Sequence, residues 1–266
     1  MKSNGFFSFS RFYLLLRNDM LLNYKKYIFT IVGAIILGYI ILYIQMPTRE
    51  YQSNFGEINY TITFTTCLIG LGAFIGLSFP ALSSKTTAMN YLLIPSSGFE
   101  KFASQFLIRV IIGTIMFFII FWIDAHLARA TALISLNKIE LAPQIKVFEF
   151  SYLFTSTKNE PLITAAIIAF FISAGIFLFS VRIFFKKLAL IKTGIALAGL
   201  ILSVAILVVI FSHIFYSGTD GMDFEIATYK IYKTYDNRDI WLFSMFYFSW
   251  IFFLPLGYFK LKEKQV

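Results

Sequence analysis

The feature that most constrains this chain is a series of long apolar runs separated by polar segments. A helix rises about 1.5 Å per residue, so about 20 apolar residues cross the roughly 30 Å hydrocarbon core of a bilayer. Six runs reach about that length, and none carries a charged residue near its centre. We therefore predict transmembrane helices at about residues 27–44, 62–79, 105–122, 162–181, 188–211 and 240–258.

The composition agrees with an all-α, polytopic membrane protein. Hydrophobic residues make up 58% of the chain and charged residues 14%, whereas a soluble domain carries about 25% charged residues. A soluble fold of 266 residues would leave more apolar surface exposed than monomers tolerate. The runs do not alternate between polar and apolar residues, which disfavours membrane-spanning strands. We expect a single transmembrane domain over residues 1–266.

The segment before the first run predicts an additional helix at the membrane surface. Within residues 1–26, apolar side chains recur at helical spacing and basic residues occupy other positions, a pattern typical of an interfacial amphipathic helix. The apolar positions are Phe9, Phe12, Tyr13, Leu16 and Met20. The alternatives are a simple membrane anchor or an irregular start of the first span.

The net charge of +9 indicates orientation. Most of the 23 Lys and Arg residues lie in the N-terminal arm, in the connections between spans two and three and between spans four and five, and in the tail. Short loops rich in Lys and Arg remain in the cytoplasm, so both termini are predicted to be cytoplasmic. We expect these residues to contact lipid headgroups and not nucleic acid, because no basic patch with interleaved aromatic residues stands outside the runs.

The cytoplasmic connection between the second and third spans carries the most specific local signal. Pro95 disfavours helix at the residue before it, and Ser97 with Glu100 three residues later has the capping-box pattern. A helix is predicted to begin at Gly98 and to lead directly into the third span. The two capping residues either begin a functional cytoplasmic helix or merely cap the third span.

Two outer connections, residues 125–161 and 212–239, are longer than the topology requires. In the first, aromatic residues at every second position over 148–154 predict a short strand. In the second, Gly218 and Gly221 indicate turns. Each connection is either a small ordered cap or a solvated link.

The sequence lacks the patterns of an enzyme or a cofactor site. No Gly-x-x-x-x-Gly-Lys-Ser/Thr loop is present, so we expect no ATP hydrolysis by this chain itself. No Gly-x-Ser-x-Gly motif and no His, Cys and carboxylate cluster occurs, and His126 and His213 are predicted at outer membrane edges. We therefore expect no catalytic residues, no cofactor and no metal.

The ionisable residues in or beside the runs are predicted to lie at span ends. Arg109 and Lys192 follow span starts, and Asp124 follows the end of the third span. Ion-coupled transporters typically place such residues near the midplane of the membrane. If this chain moves a substrate, we expect the energy to come from another protein.

Small residues at four-residue spacing predict helix-packing faces. The clearest pairs are Gly72 with Gly76 in the second span and Gly194 with Ala198 in the fifth. Ala165, Ala169 and Ser173 repeat the spacing in the fourth span. We expect these faces to serve mainly packing within the chain.

Together these features resemble the permease subunits of type-2 ABC transporters. The resemblance rests on the amphipathic N-terminal helix, six spans with both termini inside, and the sequence IPSSGFEK at residues 94–101, which is similar to the family's Leu-Pro-x-Ser-x-x-Glu turn. The chain departs from the family at Gly98, where a basic residue is usual, and in its long outer connection at residues 125–161.

The resemblance implies the permease of an exporter in the inner membrane. A separately encoded cytoplasmic ATPase subunit would dock on the helix at residues 95–104, at Pro95, Ser97, Glu100 and Lys101. The transport pathway would lie within a homodimer, or a heterodimer with a related permease, surrounded by membrane lipid. The alternative is a non-transporting membrane scaffold that binds a partner through its outer loops.

Overall fold

A computed structural model describes residues 7–46, 55–136, 145–155, 161–185, 188–215 and 244–264. The predicted all-α class is confirmed for these ranges, which contain no strand beyond a single bridge between Phe55 and Ile145. The helices are α1 (Phe9–Gln45), α2 (Glu57–Gly76), α3 (Lys85–Leu93), α4 (Gly98–Phe106), α5 (Gly113–Leu136), α6 (Tyr152–Thr155), α7 (Pro161–Val181), α8 (Ala189–Phe215) and α9 (Trp250–Glu263). A π-helical segment, Leu107–Ile112, joins α4 to α5 in one continuous rod.

Three described helices are long and apolar enough to cross a membrane: Phe9–Gln45, Glu57–Gly76 and the rod from Gly98 to Ile134. Two further apolar helical segments, Ile168–Phe184 and Leu190–Ile206, are shorter. These helices expose many large apolar side chains, which a lipid environment would cover. The chain therefore has the character of a membrane protein. Residues 240–243, at the start of the predicted sixth span, lie outside the described ranges.

Residues 9–26 of the predicted interfacial arm and the predicted first span form one continuous helix, α1, in the structure. No Gly or Pro interrupts the sequence from Phe9 to Val32, so the backbone has no reason to break there. The 37 residues of α1 extend about 55 Å at about 1.5 Å per residue. The helix is thus longer than the hydrocarbon core is thick.

The prediction of a strand at residues 148–154 is wrong, since Tyr152–Thr155 is helical and no ladder forms. The ring of Phe148 instead packs on Phe121 of α5, with ring centroids 5.2 Å apart. Packing of aromatic rings against a helix therefore accounts for the alternation that a strand would also produce.

The described part of this outer connection is an ordered cap on the N-terminal end of α2. The ring of Tyr60 lies 4.7 Å from that of Phe55 and 5.2 Å from that of Phe148, and all three side chains are buried. The Tyr60 hydroxyl donates to the Lys146 carbonyl at 3.0 Å. Lys146 Nζ donates to Glu57 at 2.9 Å, and this hydrogen bond to a carboxylate raises the pKa of the Lys146 ammonium.

The described residues cluster into two compact units, and the first comprises residues 1–74 and 95–161. In this unit α1 and α5 run parallel, because their contacts advance along both helices together: Tyr27 with Arg109, Gly38 with Asp124, and Tyr39 with Thr131. The helix α2 runs in the opposite direction, as its contacts with the rod show: Phe64 with Phe121 and Phe74 with Arg109.

The second unit comprises residues 75–94 and 162–266. Here α7 runs parallel to α9 and the helical residues 244–248 that precede it. The contacts advance together: Phe170 with Phe246, Ser173 with Ser249, Phe177 with Phe253, and Ser180 with Gly257. Near the end of α9, the Lys264 side chain donates to the carbonyl of Ile183 in the turn that follows α7.

Candidate functional site

The predicted capping box at Ser97 and Glu100 is present in the structure. Ser97 Oγ accepts from the Glu100 backbone N–H at 3.1 Å, and Glu100 Oε2 accepts from the Ser97 backbone N–H at 2.9 Å. Ile94, before Pro95, has extended rather than helical backbone angles, with φ −58° and ψ 129°, and α3 ends one residue earlier. The start of α4 at Gly98 is therefore confirmed.

Glu100 also reaches the N-terminal end of α1. Its Oε1 accepts from the Ser8 backbone N–H at 2.7 Å and from Arg11 Nη2 and Nε at 2.9 and 3.2 Å. Ser8 is the N-cap residue of α1, and its own side chain makes no capping hydrogen bond. One carboxylate therefore caps two helices. We call this set of residues, Ser8, Arg11, Ser97 and Glu100, the Glu100 clamp.

The energetics of the clamp follow from its burial. The Glu100 side chain is 0% exposed and that of Arg11 is 26% exposed. A buried carboxylate is costly unless donors compensate for the lost water, and four N–H groups do so here. Both helix N-termini also carry partial positive charge, which favours the ionised carboxylate.

The structure separates the four residues that the sequence grouped as a docking site. Pro95 is exposed and Ser97 is half-buried, whereas Glu100 and Lys101 are 0% and 1% exposed. The carboxylate of Glu100 is directed to α1 and therefore is not presented to a partner. Of the four residues, Pro95 and Ser97, both in the turn at residues 95–99, offer accessible surface.

A second polar cluster lies between α1 and α4, and sequence reasoning missed it. Asp19 accepts from the Tyr27 hydroxyl at 2.5 Å, from Gln105 Nε2 at 3.2 Å and from Asn23 Nδ2 at 3.2 Å. The spacing of Asp19, Asn23 and Tyr27, four residues apart, places them on one helical face and was the available signal. Gln105, from another helix, gave no such signal.

Arg109 lies in the π-helical segment with 7% exposure. Its guanidinium is 5.2 Å from the Tyr27 ring centroid and 4.8 Å from that of Phe74, and its Nε has no hydrogen-bond partner. Arg109 is therefore held between aromatic rings, not extended to the membrane surface. A π-helical turn of this kind frequently marks a functional position in a helix.

Asp124, which is predicted just past the end of the third span, is buried in the structure. α5 continues to Leu136, and Asp124 lies against Gly38, which belongs to the predicted first span. The side chain is 1% exposed and Oδ1 has no hydrogen-bond partner. A Cβ atom at residue 38 would overlap Asp124 Oδ2, so a glycine is required for this approach.

The predicted packing residues have different surroundings. Gly76 lies where a Cβ would be 3.2 Å from Leu190 Cδ1, while Gly72 is half-buried. Gly194 and Ala198 on α8 are exposed. In the fourth span, Ala169 and Ser173 are buried, and the Ser173 hydroxyl is 2.5 Å from that of Ser249. The two described glycines of closest approach, Gly38 and Gly113, were not among the predicted pairs.

Within the described ranges, no group of three or more His, Cys, Asp or Glu residues is placed to hold a metal ion. No protein-family model, curated protein or solved structure matches the chain. The functional argument therefore rests on the residues and contacts given above.

Proposed function

We propose that this chain is the membrane-spanning permease subunit of an ATP-driven transporter of the type-2 ABC class, an exporter in the inner membrane. It crosses the membrane six times, with both termini in the cytoplasm. Two permease chains, identical or related, enclose the pathway. A separate cytoplasmic ATPase subunit binds the turn at residues 95–99 and supplies the energy.

The relative directions of the helices within each unit support the six-span topology. In a chain that crosses six times, spans one and three run parallel, span two runs against them, and spans four and six run parallel. These predicted spans correspond to α1, α5, α2, α7 and α9. In the first unit, α1 and α5 run parallel and α2 runs in the opposite direction. In the second unit, α7 and α9 run parallel.

The observation that carries the coupling proposal is the Glu100 clamp. It fixes the start of α4 to the start of α1 through one buried carboxylate. The rod from α4 through α5 has no break, so a displacement of the turn at residues 95–99 moves the start of α1 and the whole rod together. A coupling helix requires this kind of rigid connection between a docking surface and membrane helices.

The clamp also sharpens which residues meet the ATPase. Pro95 is the exposed member of the predicted docking set, and residues 96–99 are half-buried beside it. Glu100 and Lys101, both buried, hold the turn in place from within. We therefore propose direct contact at residues 95–99 and a positioning role for Glu100.

The proposal is tested by photo-crosslinking of the tagged full-length protein in native membranes. A photoreactive residue at position 95, or at the neighbouring position 96, is expected to yield an adduct with a P-loop ATPase subunit, identified by mass spectrometry. The matched control places the same residue at Val147, which is 43% exposed in the cap at the start of α2. This control is expected to yield no ATPase adduct.

Failure at both positions, together with the absence of any P-loop ATPase from the protein purified in mild detergent, would show the transporter proposal to be wrong. The scaffold alternative would then replace it, and adducts with another protein at Val147 would be its expected signature.

A further inference from the structure

Asp124 is a buried ionisable residue that neither the Glu100 clamp nor the proposed transport function uses. It lies on α5 with 1% exposure, packed against the backbone of Gly38 on α1. Oδ1 has no hydrogen-bond partner, and no ion pair reaches the carboxyl within the described part of the chain. By contrast, the equally buried Glu100 accepts four hydrogen bonds.

The difference in hydrogen-bond donors bears on whether each carboxyl group is ionised or neutral. An isolated carboxylate transferred from water into an apolar, dry interior loses its hydration with nothing to replace it, and such groups neutralise instead. The residues one turn before and after Asp124 on α5, Phe121 and Ala128, are apolar and buried. Ionisable residues inside membrane helices commonly mark proton or ion sites.

The groups that face Asp124 from the neighbouring helices do not compensate a negative charge. Cys67 on α2 is a free cysteine, and a thiol is at most a weak donor. The Tyr39 hydroxyl on α1 donates to Thr131 at 3.0 Å. On α5 itself, the His126 ring packs at a tilt against Trp122, with ring centroids 4.4 Å apart. Arg129 Nε donates to the Ile145 carbonyl at 3.1 Å.

We propose that Asp124 is a proton-binding site between α1 and α5, and that the bound proton is what allows the two helices to meet at Gly38. Loss of the proton leaves a bare carboxylate against the α1 backbone, and the helices must then separate enough to admit water. The ligand is a proton and not a metal cation, because within the described ranges Asp124 belongs to no group of three or more His, Cys, Asp or Glu residues that could hold an ion. This inference does not depend on the transport proposal.

The decisive measurement is the infrared C=O band of a neutral carboxylic acid, recorded on the full-length protein in lipid nanodiscs with aspartate labelled by carbon-13. The wild-type protein is expected to show this band at neutral pH and to lose it at alkaline pH. The Asp124→Asn variant is expected to lack it, and Asp19→Asn, which alters the other described aspartate, is expected to retain it.

The proposal is overturned if the wild-type protein shows no neutral aspartic acid at neutral pH, or if Asp124→Asn leaves the band unchanged. Loss of the band on adding sodium chloride, but not choline chloride, at fixed pH would also overturn it and indicate a cation site. If Asp124→Asn does not fold, Asp124→Ser takes its place, and the wild-type titration decides in either case.

The pH dependence of stability gives a second readout, because proton binding is linked to folding. The folded protein holds the proton at a pH where the unfolded chain has released it, so the unfolding midpoint of the wild type is expected to fall from acidic to neutral pH. The Asp124→Asn variant, which cannot release a proton, is expected to show a smaller fall. Equal slopes for the two proteins would contradict the proposal.

Discussion

At the scale of single residues, two buried carboxylates have opposite surroundings. Glu100 accepts four hydrogen bonds from two helix N-termini and an arginine, whereas Asp124 Oδ1 accepts none. Burial is nearly the same in both cases, so the available donors decide the charge state. Glu100 is consequently suited to hold helices together as an ion, and Asp124 to bind a proton.

The clamp predicts the effect of removing its cation. Arg11→Ala leaves the Glu100 carboxylate buried with two backbone donors, and a hydrogen bond to a charged group contributes about 1.5–3 kcal/mol. We expect the free energy of unfolding, measured in mixed detergent micelles, to fall by about that amount. Arg17→Ala, an exposed position on the same helix, is the control and should change it by less than about 0.5 kcal/mol. Equal effects would show that the clamp does not stabilise the fold.

At the scale of secondary-structure elements, α1 approaches α5 closely at Gly38, a residue without a side chain. Gly38 is buried against Asp124, while Gly33, also on α1, has no atom within 4 Å of where its Cβ would lie. The sequence spacing of small residues did not single out Gly38, because the close approach depends on which residue of α5 stands opposite.

The two glycines therefore predict opposite results for the same substitution. Gly38→Ala forces a displacement of Asp124 or of the helix, and overpacking of this kind typically costs about 1–3 kcal/mol. Gly33→Ala meets no neighbour and should stabilise the helix by about 0.5–1 kcal/mol, because alanine loses less backbone entropy. Unfolding of both variants in detergent measures the difference. Effects of the same sign and size would contradict the α1–α5 packing.

At the scale of the whole molecule, the helix directions within each unit and the distribution of Lys and Arg both agree with the proposed topology. The contacts fix only relative directions within each unit, so the assignment of the cytoplasmic side rests on the basic residues, especially those at 182–187.

The orientation has a direct test in reporter fusions. Alkaline phosphatase, which is active only outside the cytoplasm, is expected to be inactive when fused after Lys187 and active when fused after Lys146. Immunoblots of both fusions control for expression. An active fusion after Lys187 would show that the predicted orientation is inverted.

Local patterns were sufficient wherever the interacting residues are close in sequence. Long apolar runs determined the all-α class, because only a helix satisfies its own backbone within such a run. The start of α4 followed from Ser97 and Glu100, which are three residues apart and cap the same turn. The prediction of a strand at residues 148–154 failed because the aromatic residues at alternate positions there pack onto α5 and do not pair with another strand.

The sequence by itself determined that this chain is helical and apolar and where α4 begins. The tertiary structure alone decided that Glu100 binds Ser8 and Arg11, 92 and 89 residues away, and that Asp124 meets Gly38 without a hydrogen-bond partner for Oδ1. The reason is physical: helix periodicity shows which residues share a face, but the partner of that face depends on how the helices pack. The sequence marks Glu100 as a capping residue, but only the packed structure gives it four donors and leaves Asp124 Oδ1 with none.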